Sequence, residues 1–116
     1  MIVIIPSNRQ INLKYYTPFI DSGARFIIVD DSEGSIKVDH RQFKVYNWRD
    51  RKKMLGKLDI GFPKKNGLCR DYGFYVAWKN SDPEEIIIAL DDDCEVYHPA
   101  FKKQVEDTLS NTARLL

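Results

Sequence analysis

Three consecutive aspartates follow an apolar run near the end of the chain and form its most chemically suggestive motif. The run 85–90 ends directly before Asp91, Asp92 and Asp93. Side chains of an extended chain alternate between faces, so Asp91 and Asp93 are predicted to point one way and Asp92 another. Two carboxylates on one side, completed by water and phosphate oxygens, suit a hard divalent cation such as Mg²⁺ or Mn²⁺. The other interpretation is an acidic turn that only ends a strand.

Basic residues are placed to meet the phosphates of a nucleotide. Residues 67–79 are predicted to form the best helix, opened by Asn66-Gly67, and helix N-termini bind anions. Arg70 falls in its first turn, and two lysines come just before the helix. A cation in the first turn opposes the helix dipole, and a bound anion would relieve that conflict. The alternative is an arginine that simply faces solvent.

Each strongly predicted strand is followed by polar or charged residues. The β-branched runs lie at 2–5, 25–29 and 85–90, with a weaker one at 43–46. Their almost continuous apolar character is typical of parallel strands covered on both faces. The polar clusters after the three strong runs are 6–9, 30–34 and 91–93. Ligands of open α/β sheets bind outside the carboxyl ends of the strands, so we expect the three clusters to meet in one crevice.

Helical segments are predicted between and after these strands. They are about 10–21, ended or interrupted near Pro18; 48–55; 67–79; and a final helix that begins at Pro99. Asn47 is a predicted N-cap of the second helix, and Gly56 lies just beyond its end. Proline is favoured at a first helical position, which places the last start at Pro99. Strands alternating with helices predict an α/β fold with a mostly parallel sheet flanked by helices.

The composition fits one compact domain and excludes a strong electrostatic field of one sign over the whole domain. The chain has 116 residues, of which 43% are hydrophobic and 30% charged. Eighteen Lys and Arg nearly balance seventeen Asp and Glu, so neither nucleic acid nor anionic membrane is favoured as a partner. Charge is nevertheless segregated: residues 49–70 carry eight basic and two acidic side chains, and 82–95 carry seven acidic and no basic ones. Two solvated faces that attract each other are the alternative interpretation.

The sequence predicts no membrane-spanning segment, no secretory signal, and no zinc site or disulfide framework. The longest apolar runs have four or five residues, against the roughly 20 that span a bilayer. Pro6 cuts off the first run before it could act as a secretory signal. Cys69 and Cys94 lack zinc-ligand spacing, so neither a zinc site nor a disulfide framework is predicted. A reducing cytoplasm is the expected location.

Several stretches resemble a known family. The string VDDSEG after a strand, followed by a DxD after a later strand, is similar to the nucleotide-diphospho-sugar transferase fold called GT-A. The stretches YNWRDRKKMLG, GLCRDYGFYV and IIIALDDDCEV resemble those of the reversibly glycosylated polypeptides, also known as UDP-arabinopyranose mutases. The resemblance runs with gaps over nearly the whole chain. Its most specific element is the pairing of the CRxxG helix at 69–73 with the DDDC motif at 91–94.

The resemblance implies a single nucleotide-sugar-binding domain over residues 1–116, the N-terminal part of a Rossmann-like GT-A fold. Asp91 and Asp93 would ligate Mn²⁺ or Mg²⁺. Arg70, the candidate catalytic residue, would contact the diphosphate or support the aspartates. The residues implied to bind the UDP-sugar are Arg9, Asp30, Asp31, Asp91 and Asp92. From the sequence itself, Asp30 and Asp31 either accept a hydrogen bond from the base or ribose or simply cap a turn. Because members of the family continue well past the DxD, we expect a fragment, a truncated reading frame or a minimal relative.

Three functions are left open by the sequence. The first is a UDP-arabinopyranose mutase or self-glycosylating protein, and the second is a GT-A glycosyltransferase with a separate acceptor. The third is a non-catalytic α/β module whose charges serve partner contact or solubility. Nucleic-acid binding through 49–70 is disfavoured, because the nearby acids repel phosphates unless a cation intervenes. Membrane binding is not expected, and a homo-oligomer stays open.

Overall fold

The computed structural model describes residues 1–62, 64–65 and 67–115, with side chains up to residue 111. The strands are β1 (Ile2–Ser7), β2 (Arg25–Asp30), β3 (Phe43–Tyr46) and β4 (Ile87–Ala89). The α-helices are α1 (Thr17–Asp21), α2 (Trp48–Leu55), α3 (Cys69–Lys79) and α4 (Phe101–Leu115). Two 3₁₀ helices, Leu13–Tyr16 and Gly56–Gly61, complete the regular structure of the described residues.

The four strands form one parallel sheet in the order β3-β2-β1-β4. In the register, Val3 lies opposite Phe26 and Ile88, so β1 is hydrogen-bonded on both sides. The chain adds β2 and β3 on one side of β1 and then returns to place β4 on the other. The strand order therefore reverses between β1 and β4, which is the topological switch point of an open α/β sheet. The predicted α/β class, with a parallel sheet flanked by helices, is confirmed.

Alternating side chains of the central strands divide the core between the two sheet faces. Val3 and Ile5 pack on the first face, which is covered by the 3₁₀ helix Leu13–Tyr16, α1 and α4. Ile2 and Ile4 pack on the second face against α3. Both faces are buried, which explains the near-continuous apolar runs of β1 and β2. Among the residues described, no helix combines the length and apolar character needed to cross a membrane.

Several element boundaries agree with the sequence. β3 has the predicted bounds, and α2 begins behind Asn47, whose side chain accepts hydrogen bonds from the amides of Arg49 and Asp50. Gly56, just beyond the end of α2, has a φ of 55°, a conformation that favours glycine. β4 is shorter than the predicted 85–90, although the Leu90 amide still donates to the carbonyl of Ile4 at 2.9 Å.

The predicted starts of three helices need correction. The expected helix 10–21 is a 3₁₀ turn followed by α1, and Pro18 lies in the first turn of α1, where its missing N–H costs nothing. α4 begins at Phe101 and not at Pro99, because the His98 side chain accepts from the Ala100 amide and forms a turn there. α3 begins at Cys69 and not at residue 67. The predicted contribution of Asn66 to this start lies outside the described residues.

Gly73 allows α3 to approach the sheet closely. A Cβ atom at this position would lie 2.5 Å from Cγ2 of Ile4 and 3.0 Å from Cγ2 of Val29. These methyl groups belong to β-branched side chains of the two central strands and cannot swing aside. The side chains of Tyr72 and Val76, beside and one turn beyond the glycine, are fully buried on the same face. The close contact therefore fixes α3, and with it the position of its N-terminus.

We expect Gly73→Ala to lower the free energy of unfolding by about 1–2 kcal/mol. Overpacking costs about 1–3 kcal/mol, and the better helix propensity of alanine offsets part of that loss. Chemical denaturation of the wild-type chain and the variant measures the difference. Gly61→Ala is the matched control, because a Cβ at residue 61 meets nothing within 4 Å. Equal effects of the two substitutions would contradict the close-approach account.

Candidate functional site

A cleft lies at the switch point, outside the carboxyl ends of β1 and β4. This switch-point cleft has a volume of about 300 Å³. It is lined by the end of β1 and the residue after it, by residues that follow β2 and β4, and by the first turn of α3 with the segment before it: Pro6, Ser7, Asn8, Asp31, Lys65, Gly67, Cys69, Arg70, Asp91 and Asp92. The structure thus brings together the polar clusters that the sequence placed after three separate strands.

The aspartates form a turn, and this corrects the reason why two of them share a side. β4 ends at Ala89, and the amide of Cys94 donates to the Asp91 carbonyl at 3.2 Å, so 91–94 form an acidic turn. Alternation along a strand therefore does not apply. The turn nevertheless brings one ligand atom each of Asp91, Asp93 and Cys94 within 4.8 Å of one another. Two carboxylates fit Mg²⁺ or Mn²⁺, and a thiolate adds a ligand that softer metals prefer.

Asp92 is turned away from this group and held from β1. The Ser7 hydroxyl donates to Oδ2 of Asp92 at 2.5 Å. Arg9 donates from Nε to Oδ2 at 3.1 Å and from Nη2 to Oδ1 at 2.7 Å, a two-pronged contact. Burial opposes ionisation of Asp92, but the hydrogen bonds from Arg9 and Ser7 outweigh it and hold the pKa of the carboxyl below its usual value. Arg9 also lies 3.7 Å from Asp93.

Tyr16 holds the acidic turn with a hydrogen bond from the core. Its ring is fully buried on the first face of the sheet, and its hydroxyl donates to the carbonyl of Asp91 at 3.0 Å. Burial raises the pKa of the Tyr16 hydroxyl, which therefore stays a proton donor. Sequence reasoning missed this residue, because a tyrosine within an expected helix gives no sign of a partner 75 positions away.

Arg70 meets the acidic turn from the start of α3. Its guanidinium donates to the carboxylate of Asp91. The two side chains are 46% and 60% exposed, respectively. This ion pair joins the basic segment 49–70 to the acidic segment 82–95. The predicted proximity of a first-turn arginine and the aspartates is therefore present in the folded chain.

Asp31 lies where the switch-point cleft meets a second cavity. The indole Nε1 of Trp48 and the amide of Lys65 donate to its Oδ1 at 2.7 and 2.9 Å, respectively. The ammonium of Lys64 lies 4.5 Å from the centre of the Trp48 ring. The second cavity, of about 430 Å³, shares Asn8, Asp31 and Lys65 with the first. Asp31 therefore anchors the segment before α3 between two adjoining cavities.

Asp30 is buried and directed into the loop that follows β2. Its Oδ1 accepts hydrogen bonds from the Ser32 amide, at 2.8 Å, and from the Ser32 hydroxyl. Its Oδ2 accepts from the Ile36 amide at 3.4 Å. The structure places Asp30 in the capping arrangement and outside the lining of the switch-point cleft.

A larger cavity, of about 660 Å³, lies at the other end of the sheet. Its lining includes Ile2 and Arg25, at the amino ends of β1 and β2, and Phe43 at the start of β3. Asp31, Arg70 and the three aspartates 91–93 do not line this cavity. Because ligands of open α/β sheets bind at the carboxyl ends, the smaller cleft is the candidate site.

Comparisons with known proteins point to one family. The chain is 33% identical over 98 residues to a probable UDP-arabinopyranose mutase 4 from Arabidopsis thaliana, an alignment that covers 81% of this chain and 25% of the relative. It is 30% identical to UDP-arabinopyranose mutase 2 from the same plant, with 98% of the chain and 31% of the relative covered. Over most of its length, the chain is therefore similar in sequence to UDP-arabinopyranose mutases. A probable UDP-arabinopyranose mutase 1 from Pisum sativum is 32% identical, with 81% of the chain and 25% of the relative covered.

This similarity agrees with the resemblance found in the sequence. The observed parallel sheet flanked by helices agrees with the nucleotide-sugar transferase fold class that the resemblance implies. The chain spans 25–31% of the length of these curated relatives. No protein-family model matches it, and no solved structure does.

We expect Asp92→Asn to lower the free energy of unfolding at pH 7 by about 1.5–3 kcal/mol, the range for hydrogen bonds to charged groups. The folded-state pKa of Asp92 lies below its unfolded value. Ionised Asp92 therefore stabilises the fold above the unfolded pKa, near 4, and this stabilisation is lost as the pH falls through the folded pKa. The difference between wild type and variant should shrink below about pH 4.

Denaturant unfolding across a pH series measures this difference. The control is Asp107→Asn, which breaks an exposed ion pair with Lys103 on α4 and should cost about 0.5 kcal/mol or less. If the difference in unfolding free energy between wild type and Asp92→Asn stayed constant down to pH 2, ionised Asp92 would not be stabilised by Arg9 and Ser7 as described.

Proposed function

We propose that this chain binds a UDP-sugar together with a divalent cation in the switch-point cleft and serves UDP-arabinopyranose mutase chemistry, the interconversion of sugar ring forms. One observation supports this proposal above others: the ends of β1 and β4 bring the acidic turn against the N-terminus of α3 in a chain whose relatives are named UDP-arabinopyranose mutases. Residues 1–116 would act together as a nucleotide-sugar-binding domain.

The acidic turn is proposed as the cation site. Asp91 and Asp93 would hold Mn²⁺ or Mg²⁺, since their carboxylate oxygens lie close together and are exposed. A bound divalent cation neutralises the charge that develops on a departing diphosphate. Asp92 would orient the turn rather than ligate the cation, because Arg9 and Ser7 already engage both of its oxygens.

The basic side of the cleft is proposed to receive the diphosphate. Arg70 reaches into the cleft from the first turn of α3, where the helix dipole favours an anion. Guanidinium groups bind phosphate oxygens with charge-assisted hydrogen bonds. Arg9 would support this side indirectly, by fixing Asp92.

The nucleoside is proposed to extend from the cleft into the adjoining cavity. That cavity shares Asn8, Asp31 and Lys65 with the cleft, and its other lining residues belong to the loop that follows β2. Its volume of about 430 Å³ falls within the usual range for small-molecule sites. Asp31 would accept a hydrogen bond from the base or ribose, while Asp30 would hold the loop in place.

Isothermal titration calorimetry tests the binding proposal. We expect UDP to bind the wild-type chain in the presence of Mn²⁺, and Asp91→Asn/Asp93→Asn to weaken that binding at least about tenfold, because the cation loses both carboxylate charges. Asp82→Asn/Glu84→Gln is the matched control, since it removes two charges from the same acidic segment before β4. No heat from UDP and Mn²⁺ at millimolar concentration would refute the proposed site.

Ring-form exchange separates mutase chemistry from sugar transfer. We expect incubation with UDP-arabinopyranose and Mn²⁺ to yield UDP-arabinofuranose or protein-bound arabinose, measured by chromatography and intact-protein mass spectrometry. The Asp91→Asn/Asp93→Asn variant should yield neither product, and the Asp82→Asn/Glu84→Gln control should match wild type. Transfer of arabinose to an added acceptor without ring exchange would instead indicate a glycosyltransferase.

A further inference from the structure

We propose that Arg70 competes with the divalent cation for Asp91 and moves to the diphosphate when the nucleotide binds. The cation and the nucleotide would then each bind more tightly in the presence of the other. This inference rests on the proposed function, since it concerns the same cleft. It follows from a difference between the two arginine–aspartate contacts of the site.

The contact between Arg9 and Asp92 is expected to stay in place when ligands bind. Two guanidinium nitrogens meet both carboxylate oxygens, and the Ser7 hydroxyl adds a third hydrogen bond. The Asp92 side chain is only 14% exposed. Breaking this contact would leave a mostly buried carboxylate without its partners, which is costly. Arg9 is therefore not the group that changes partner.

The contact between Arg70 and Asp91 can break at little cost, so Arg70 can change its partner. It joins one nitrogen, Nη2, to one oxygen, Oδ1, and both side chains reach solvent. Exposed pairs of this kind contribute little net free energy, because water solvates both charges when they separate. Arg70 can leave Asp91 without exposing a buried charge.

Asp91 is the carboxylate that two positive groups would share. One carboxylate oxygen of Asp91 lies close to ligand atoms of Asp93 and Cys94. The same side chain forms an ion pair with Arg70. A divalent cation at this group would be repelled by a guanidinium on the same carboxylate. Displacement of Arg70 would therefore strengthen cation binding to the nucleotide-free chain.

An arriving diphosphate provides Arg70 with another partner on its own side of the cleft. Arg70 lies in the first turn of α3. The helix dipole favours an anion at this position and disfavours a cation that has no anion beside it. Moving the guanidinium from Asp91 to a phosphate frees the carboxylate for the cation. By linkage, a nucleotide that strengthens cation binding is itself bound more tightly by the same factor when the cation is present.

Titrations of Arg70→Gln test this exchange. Mn²⁺ alone, followed by the electron paramagnetic resonance signal of the free ion, should bind the variant about two- to fivefold more tightly than wild type. UDP in the presence of saturating Mn²⁺ should bind the variant about tenfold more weakly, because a charge-assisted hydrogen bond is lost. The enhancement of Mn²⁺ binding by UDP should fall in the variant.

Two further variants serve as controls. Arg70→Lys keeps the positive charge and should retain weak binding of Mn²⁺ alone. Arg41→Gln removes the same charge near the start of β3, at the other end of the sheet, and should match wild type in every titration.

The outcomes separate this inference from the proposed function. Unchanged or weaker binding of Mn²⁺ alone by Arg70→Gln, or no measurable Mn²⁺ binding by either protein, would overturn the exchange. UDP binding by wild type in Mn²⁺ would in that case still support the proposed site. Failure of wild type to bind UDP with Mn²⁺ would refute the site itself.

Discussion

The central position of β1 is the constraint on which the rest of the structure depends. β1 is hydrogen-bonded to β2 on one side and to β4 on the other, with all three strands parallel. Parallel pairing forces the segments after these strands to emerge at one edge of the sheet. The reversal of strand order beside β1 then leaves a gap that no crossover helix fills. Residues from distant parts of the sequence meet in that gap because of the sheet, with no attraction of their own required.

Within this gap, charges of opposite sign balance one another. The acidic turn carries three carboxylates on consecutive residues, an arrangement that would repel itself if it were left alone. Arg9 pairs with Asp92, and Arg70 pairs with Asp91. The first contact is enclosed and organises the turn, whereas the second is open to solvent. A site whose carboxylates are mostly paired with its own side chains can stay folded while empty and still exchange one of those side chains for a ligand.

Much of the fold followed from the sequence, because strand burial and helix capping are local signals. The apolar runs of β1 and β2 and the Asn47 cap of α2 illustrate this. The helix starts were harder: Pro18 and Pro99 fit more than one turn geometry, and His98 decided the start of α4 through a side-chain contact.

The site was predicted in outline but not in detail. Its residues could be gathered from the ends of parallel strands, which is a rule of topology. Which carboxylate faces which partner depends on packing, and packing is not visible in one sequence. Asp30 therefore proved to hold a loop. No spacing rule indicated that Tyr16 would contact the acidic turn or that Cys94 would lie with Asp91 and Asp93.

The buried hydroxyl of Tyr16 ties the site to the aromatic packing of the first sheet face. The Tyr16 ring meets Phe26 edge-on, with 6.1 Å between centroids, and Phe26 stacks on Phe43 of the outermost strand at 4.1 Å. A row of rings thus runs from the far edge of the sheet to the Asp91 carbonyl. A change in ring size at Phe43 would be passed through Phe26 to Tyr16, whose hydroxyl donates to the Asp91 carbonyl. Aromatic identity along this row should therefore evolve together with the chemistry at the opposite edge.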